Sequence, residues 1–199
     1  KALLVGRGYH LFSEIWSDQP PLLTVTLASL FRATGPSVAA ARVLVMLLSA
    51  LLLWAFYLAV RTNLLTPTRK GPTKVGVFLV GSEGAATVLA LLGCGLLIVS
   101  EFYLRLSGAV MVGLPSTALG MAALMLLVVR RPSWPWLLAA AGILALALQT
   151  KLLAAIIVPA AAVAVYLNVA GDHAQTLWTG WQQRVGRVAA WAAMTGAAY

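Results

Sequence analysis

The chain has 199 residues, of which 61% are hydrophobic and 10% charged, with a formal net charge of +9 at pH 7. So few charges cannot cover the surface of a soluble enzyme of this length, and the long runs of Leu, Ala and Val read instead as a multispan α-helical membrane protein. The fourteen Lys and Arg fall mostly in short gaps between apolar runs, the pattern of loop charges that orient helices in a bilayer, so nucleic acid is excluded as a partner.

At the start, Lys1 leads directly into ALLVGRGYHLF, with no start methionine and no signal-peptide shape, so the chain reads as beginning inside something larger. The stretch YHLFSEIWSDQPPLLTV, Tyr9 to Val25, then sets two carboxylates, Glu14 and Asp18, around Trp16 and fixes the chain with Pro20 and Pro21. Prolines disfavour helix for the residues before them, which predicts an extended segment at Asp18. Pro21 to Phe31 is too short to cross a bilayer and reads as a re-entrant or interface helix whose prolines sit where missing amide donors cost nothing. Gly35 to Ser37 breaks that helix. Residues 1–37 are therefore read as an outward-facing loop with a short helix. Residues 38–199 are read as transmembrane helices and short loops of the same single domain.

A span needs about 20 apolar residues at 1.5 Å each. That ruler predicts spans at Val38 to Val60, Val75 to Ser100 and Ala109 to Val129. Trp134 to Asn168 is too long for one span and short for two, and reads as a hairpin of two short helices with Lys151 near the turn. A polar loop is expected at Gly171 to Arg187, followed by an apolar stretch from Val188 that is cut off at Tyr199, so the bundle reads as truncated at both ends. Arg61, Arg69, Lys70 and Lys74, then Arg130 with Arg131, then Arg184 with Arg187 fall in alternate gaps. By the positive-inside rule that side is cytoplasmic. The Asp18 loop, the Glu101 to Ser107 loop and Lys151 then face outward.

Asp18 is the sharpest polar feature. An ionised acid inside an apolar helix costs roughly 2.5 to 3.5 kcal/mol on insertion scales, so one beside Trp16 and Pro-Pro belongs at the water interface. There it serves either as a general base or metal ligand, or as a cap for the following helix. Glu14 and His10 would share a helical face with Asp18, a weak hard-cation arrangement that the prolines oppose. Arg42, near the start of the first span, and Lys151 either snorkel to headgroups or bind a lipid phosphate. Glu83, flanked by Gly81 and Gly84, reads as an intramembrane acid satisfied by close helix packing. Cys94 lies alone in an apolar run and reports no redox compartment. Trp134, Trp136, Trp178 and Trp181 read as interface anchors. No Gly-x-Ser-x-Gly, Walker loop, His-Glu-x-x-His or Cys pair is present, which removes the usual hydrolase, nucleotide and zinc readings.

The order GYHLFSEIWSDQPPLL, a short helix ending in LFRATGPS, then AAARVLVMLLSALLLWAFYLAVR and later GILALALQTKLLAAIIVPA resembles the membrane glycosyltransferases of GT-C fold. The subgroup it resembles is that of the protein O-mannosyltransferases and the bacterial lipid A aminoarabinose transferases. The resemblance implies an all-α, multispan transmembrane bundle in a bacterial inner membrane. It implies a hexosyl or pentosyl transferase that moves a sugar from a polyprenyl-phosphate donor to a protein, lipid or glycan acceptor at the outer face. Asp18, in the Asp-x-Pro-Pro element, matches the second acidic position of the family's first outward loop, implying a base or a ligand of a divalent metal cation. Lys151 and Arg42 are then candidates for the donor phosphate. The family's earlier acidic position would precede Lys1, and where many relatives carry a further acid this chain has GLPSTAL at Gly113 to Leu119. The competing reading is a transporter or flippase with Glu83 and Lys151 lining a path.

Overall fold

The computed structural model describes residues 1–17, 19–65, 83–108, 113–129, 134–169 and 177–198. Among them the architecture is all-α, with no strand beyond an isolated bridge between Leu11 and Ile15. A one-turn helix α1 (Ala2–Gly6) precedes the short helix α2 (Leu22–Thr34), which ends at Gly35 with a φ of 77°, a conformation that suits glycine, and Pro36 forbids its resumption. Ser37 starts the next helix by accepting the Ala40 amide at 3.3 Å, giving α3 (Val38–Leu65). The expected break at Gly35 to Ser37 is therefore a cap-and-restart junction.

Helix α4 (Glu83–Val99) runs antiparallel to α3, since Cys94 Sγ donates to the Leu53 carbonyl and Gly93 meets Phe56. Ser100 then caps α5 (Glu101–Gly108) by accepting the Tyr103 amide at 3.2 Å. Three further helices each take a proline within the first turn, where no intrahelical donor is lost: α6 (Gly113–Val129) at Pro115, α7 (Trp134–Thr150) at Pro135, and α8 (Ile157–Val169) at Pro159. Between α7 and α8 the chain breaks at Lys151, which is extended (φ −159°, ψ 126°), and passes through a 3₁₀ turn, Leu152–Ile156. The break expected at Lys151 is there without Gly or Pro. The last helix, α9 (Leu177–Ala198), is a correction: the loop expected at Gly171 to Arg187 is helical from Leu177. Its Arg184 lies over the Tyr166 ring, 5.5 Å from the centroid, so a residue read as loop charge is used as a side of a helix.

Packing follows small residues. Ala86, Ala90 and Cys94 bury one stripe of α4, at four-residue spacing, and α4 packs on α3. A Cβ at Gly93 would lie 3.0 Å from the Phe56 ring, a tight contact that the glycine relieves. Helices α6 and α9 each pack on both α7 and α8, and the four share a core that includes Ala123, Leu127, Leu144, Ala161, Val165 and the 1%-exposed Trp191. The two arms joined at Lys151 thus share neighbours. A second core joins Val45 and Leu52 of α3 to Tyr103 of α5 and Leu114 and Ala118 of α6.

The hydroxyls differ in how far they reach, and Ser100 and Ser107 donate to the carbonyl three residues earlier, at 2.8 and 3.2 Å. Thr26, Thr34, Thr62, Thr87, Thr117, Thr150 and Thr195 each donate to the carbonyl four residues earlier, at 2.7 to 3.0 Å. Ser49 and Ser116 instead reach another segment. Outward, Val43, Met46, Leu47 and Trp54 of α3 and Val88, Leu91, Leu92, Leu96 and Val99 of α4 are exposed. Among the described residues one helix, Val38–Thr62, is by itself long and apolar enough to cross a membrane; five others are apolar and shorter. Residues 75–82 and 109–112, expected to belong to two spans, lie outside the described residues.

Candidate functional site at the Arg42 end of the bundle

A chain of contacts gathers several of the expected polar residues. Tyr103 donates to the Ser49 carbonyl at 3.3 Å and also pairs with the Ser49 hydroxyl, which ties α5 to the early turns of α3. Leu114 and Ala118, at the start of α6, join the same cluster. Between them Ser116, 2% exposed, directs its hydroxyl to the carbonyls of Ala147 at 3.3 Å and Lys151 at 3.4 Å. Gln149 Nε2 in turn donates to the Ala198 carbonyl at 3.3 Å. One end of the bundle therefore holds the first turns of α3, the helix α5, the start of α6, the Lys151 break and the end of α9.

At that end Arg42 is exposed on α3, whose neighbouring Ala41 and Val45 are buried. Lys151 is half-buried. Glu101 and Arg105 form an exposed ion pair on α5. The first pair of candidates thus shares an end of the molecule, as the alternation of spans predicts, with unequal access to water.

Beside the start of α3 lies a groove of about 480 Å³. Leu23, Leu27, Phe31, Val38 and Ala41 form its apolar wall, and Lys1, Ser17, Gln19 and Thr24 its polar rim. Asp18 itself lies outside the described residues. Its two chain neighbours, Ser17 and Gln19, both line the groove, and Ser17 Oγ donates to the Gln19 carbonyl at 3.1 Å. The N-cap of α2 is Pro21, which offers no side-chain acceptor. Capping by the residue next to the helix is therefore not how α2 begins.

The segment from His10 to Ile15 is a tight loop rather than a helix, so His10 and Glu14 do not share a helical face. The amides of Glu14 and Ile15 both donate to the His10 carbonyl at 3.1 Å, and Phe12 donates to the Ile15 carbonyl at 2.9 Å. Phe12 takes a φ of 72°, a left-handed conformation rare for a bulky residue. Glu14 accepts the His10 amide at 2.6 Å, so its carboxylate is used in holding its own loop. Trp16, 77% exposed, lies under Lys1 Nζ at 5.5 Å from the ring centroid. Sequence spacing could not show this loop, because nothing in YHLFSEI announces a positive φ at a phenylalanine.

Glu83 departs from expectation. It opens α4 in an exposed position, with Gly84 exposed beside it, rather than lying packed against a neighbouring helix. Because α4 is antiparallel to α3, Glu83 sits near the Arg61 end of α3, away from Lys151. Gly81, Arg69, Lys70, Lys74, Arg130, Arg131 and His173 lie outside the described residues. Among the described residues no group of three His, Cys, Asp or Glu is placed to hold a metal ion. No family model, curated protein or solved structure matches the chain.

Proposed function

We propose that the chain is part of a multi-pass, inner-membrane glycosyltransferase of GT-C type that transfers a sugar from a polyprenyl-phosphate donor to a protein, lipid or glycan acceptor at the outer face. The observation that carries this reading is the groove whose polar rim holds both neighbours of Asp18, at the end of the bundle that also carries Arg42 and the Lys151 break. An amphiphilic donor needs an apolar wall for its chain and polar groups where its phosphate and sugar meet water, and the groove offers both. The exposed apolar faces of α3 and α4 support a lipid surround.

The chemistry assigns roles. A polyprenyl phosphate leaves the anomeric carbon as an anion, so cationic groups are needed where that charge develops, a task suited to Lys151 and Arg42. The acceptor hydroxyl forms the new bond to the anomeric carbon while its proton passes to a base, the role given to Asp18. A divalent cation held with the help of Asp18 would supply further charge stabilisation of the phosphate. Substituting Asp18→Asn in the full-length protein is expected to lower transfer by at least about 100-fold, the usual contribution of a general base, at normal expression. Wild-type turnover by that variant would remove Asp18 from the mechanism.

A further inference from the structure

A helix that stops inside an apolar bundle leaves its last carbonyls without intrahelical donors. Around the end of α7 the carbonyls of Ala147, in its last turn, and of the extended Lys151 just beyond it each receive a backbone donor: the Lys151 amide reaches Ala147 at 3.0 Å and the Ala154 amide reaches Lys151 at 3.0 Å. Ser116 then adds its hydroxyl to both carbonyls, one on each side of the break. One turn further along α6, Gly120 faces Ile157, the first residue of α8, so closely that a Cβ there would overlap Ile157 Cδ1. Ser116 and Gly120 are four residues apart and lie on one face of α6. That face therefore touches the chain just before and just after the extended Lys151.

We propose that Ser116 is a positioning residue for Lys151, with Gly120 completing a cradle in α6 that holds the break in one geometry. The inference rests on the reading of Lys151 as the group that meets the donor phosphate. A lysine on a flexible four-carbon stem gains most from a fixed backbone origin, since its ammonium acts as a point charge whose distance from the phosphate sets its effect. Because both carbonyls keep their backbone donors without Ser116, removing the hydroxyl loosens the break without unfolding the helices.

The test separates the cradle from the phosphate reading. Lys151→Cys is made in a Cys94→Ala background of the full-length protein in lipid nanodiscs, and its modification rate by a charged thiol reagent is measured with and without Ser116→Ala. The rate is expected to change at least about fivefold with Ser116→Ala, to return with Ser116→Thr, and to stay unchanged with Thr117→Ala, whose hydroxyl bonds within its own helix. An unchanged rate with Ser116→Ala, or an equal change with Thr117→Ala, overturns the positioning role. In parallel, affinity for polyprenyl phosphate is measured with Lys151 intact: Ser116→Ala is expected to weaken it at least about threefold, with recovery in Ser116→Thr. If Lys151→Ala binds polyprenyl phosphate as well as the parent, the phosphate reading fails, and the labelling rates alone judge the cradle.

Discussion

At the scale of single residues, Ser49 and Tyr103 form a pair joined by two contacts. Tyr103 Oη meets both the Ser49 carbonyl and the Ser49 hydroxyl, and either hydroxyl can donate across the pair. The two substitutions should therefore differ. Ser49→Ala keeps the bond from Tyr103 to the backbone and is expected to cost about 1 kcal/mol, whereas Tyr103→Phe removes both bonds and is expected to cost about 1 to 3 kcal/mol. Thermal unfolding in detergent, followed by tryptophan fluorescence, checks the order. Adding Ser49→Ala to Tyr103→Phe should cost little more, and full additivity would show that the hydroxyls do not act as a pair. The same accounting explains why Glu14 drops out of the site: its carboxylate is occupied by the His10 amide.

Between elements, Gly120 leaves room for the tip of the Ile157 side chain where α6 meets α8, and a Cβ there would overlap Ile157 Cδ1. Without a hydrophobic difference between lipid and core, such close packing is the main force joining helices in a membrane. Gly120→Ala is expected to lower the unfolding midpoint by several degrees, and Ile157→Ala in the same protein to recover part of the loss. If the double variant is less stable than Gly120→Ala alone, that contact is not what penalises the alanine. This level was only partly legible beforehand. The helices α2, α3 and α6, and the interruption at Lys151, follow from apolar run lengths, Pro and Gly placement, and a lysine between two apolar runs. The first half of α9, from Leu177 to Arg187, escaped because its Gln and Arg residues resemble a loop until Arg184 is seen against Tyr166. The loop from His10 to Ile15 escaped because its geometry rests on backbone bonds within six residues, to which side-chain periodicity is blind.

For the molecule as a whole, the site depends on which end faces outward. The contacts that unite the start of α3, Tyr103, Ser116 and Lys151 hold in either orientation, but the proposed chemistry requires that end to face away from the cytoplasm. In a Cys94→Ala background, an impermeant thiol reagent applied to intact cells is expected to label Arg105→Cys and to spare Glu83→Cys until the membrane is opened. Labelling in the reverse order would put the Asp18 segment on the cytoplasmic side and end the outer-face reading. Arg42 and Lys151 were legible as types and as sharing one end of the bundle, whereas Asp18 lies outside the described residues. The unequal exposure of Arg42 and Lys151 was not legible, because burial depends on which helices become neighbours.

The difference between hydroxyls that bond locally and those that reach another segment carries a consequence for how the bundle is made. Each of these seven threonines hides its proton against its own helix, so none of the seven needs a second helix to satisfy its hydroxyl in lipid. Ser49 and Ser116 gain their observed partners only after separate segments have met. The two serines thus act as latches on a finished assembly, and both close on the end where sugar transfer is proposed. Insertion and completion of the site become separate events, the first prepared by the seven threonines and the second by Ser49 and Ser116.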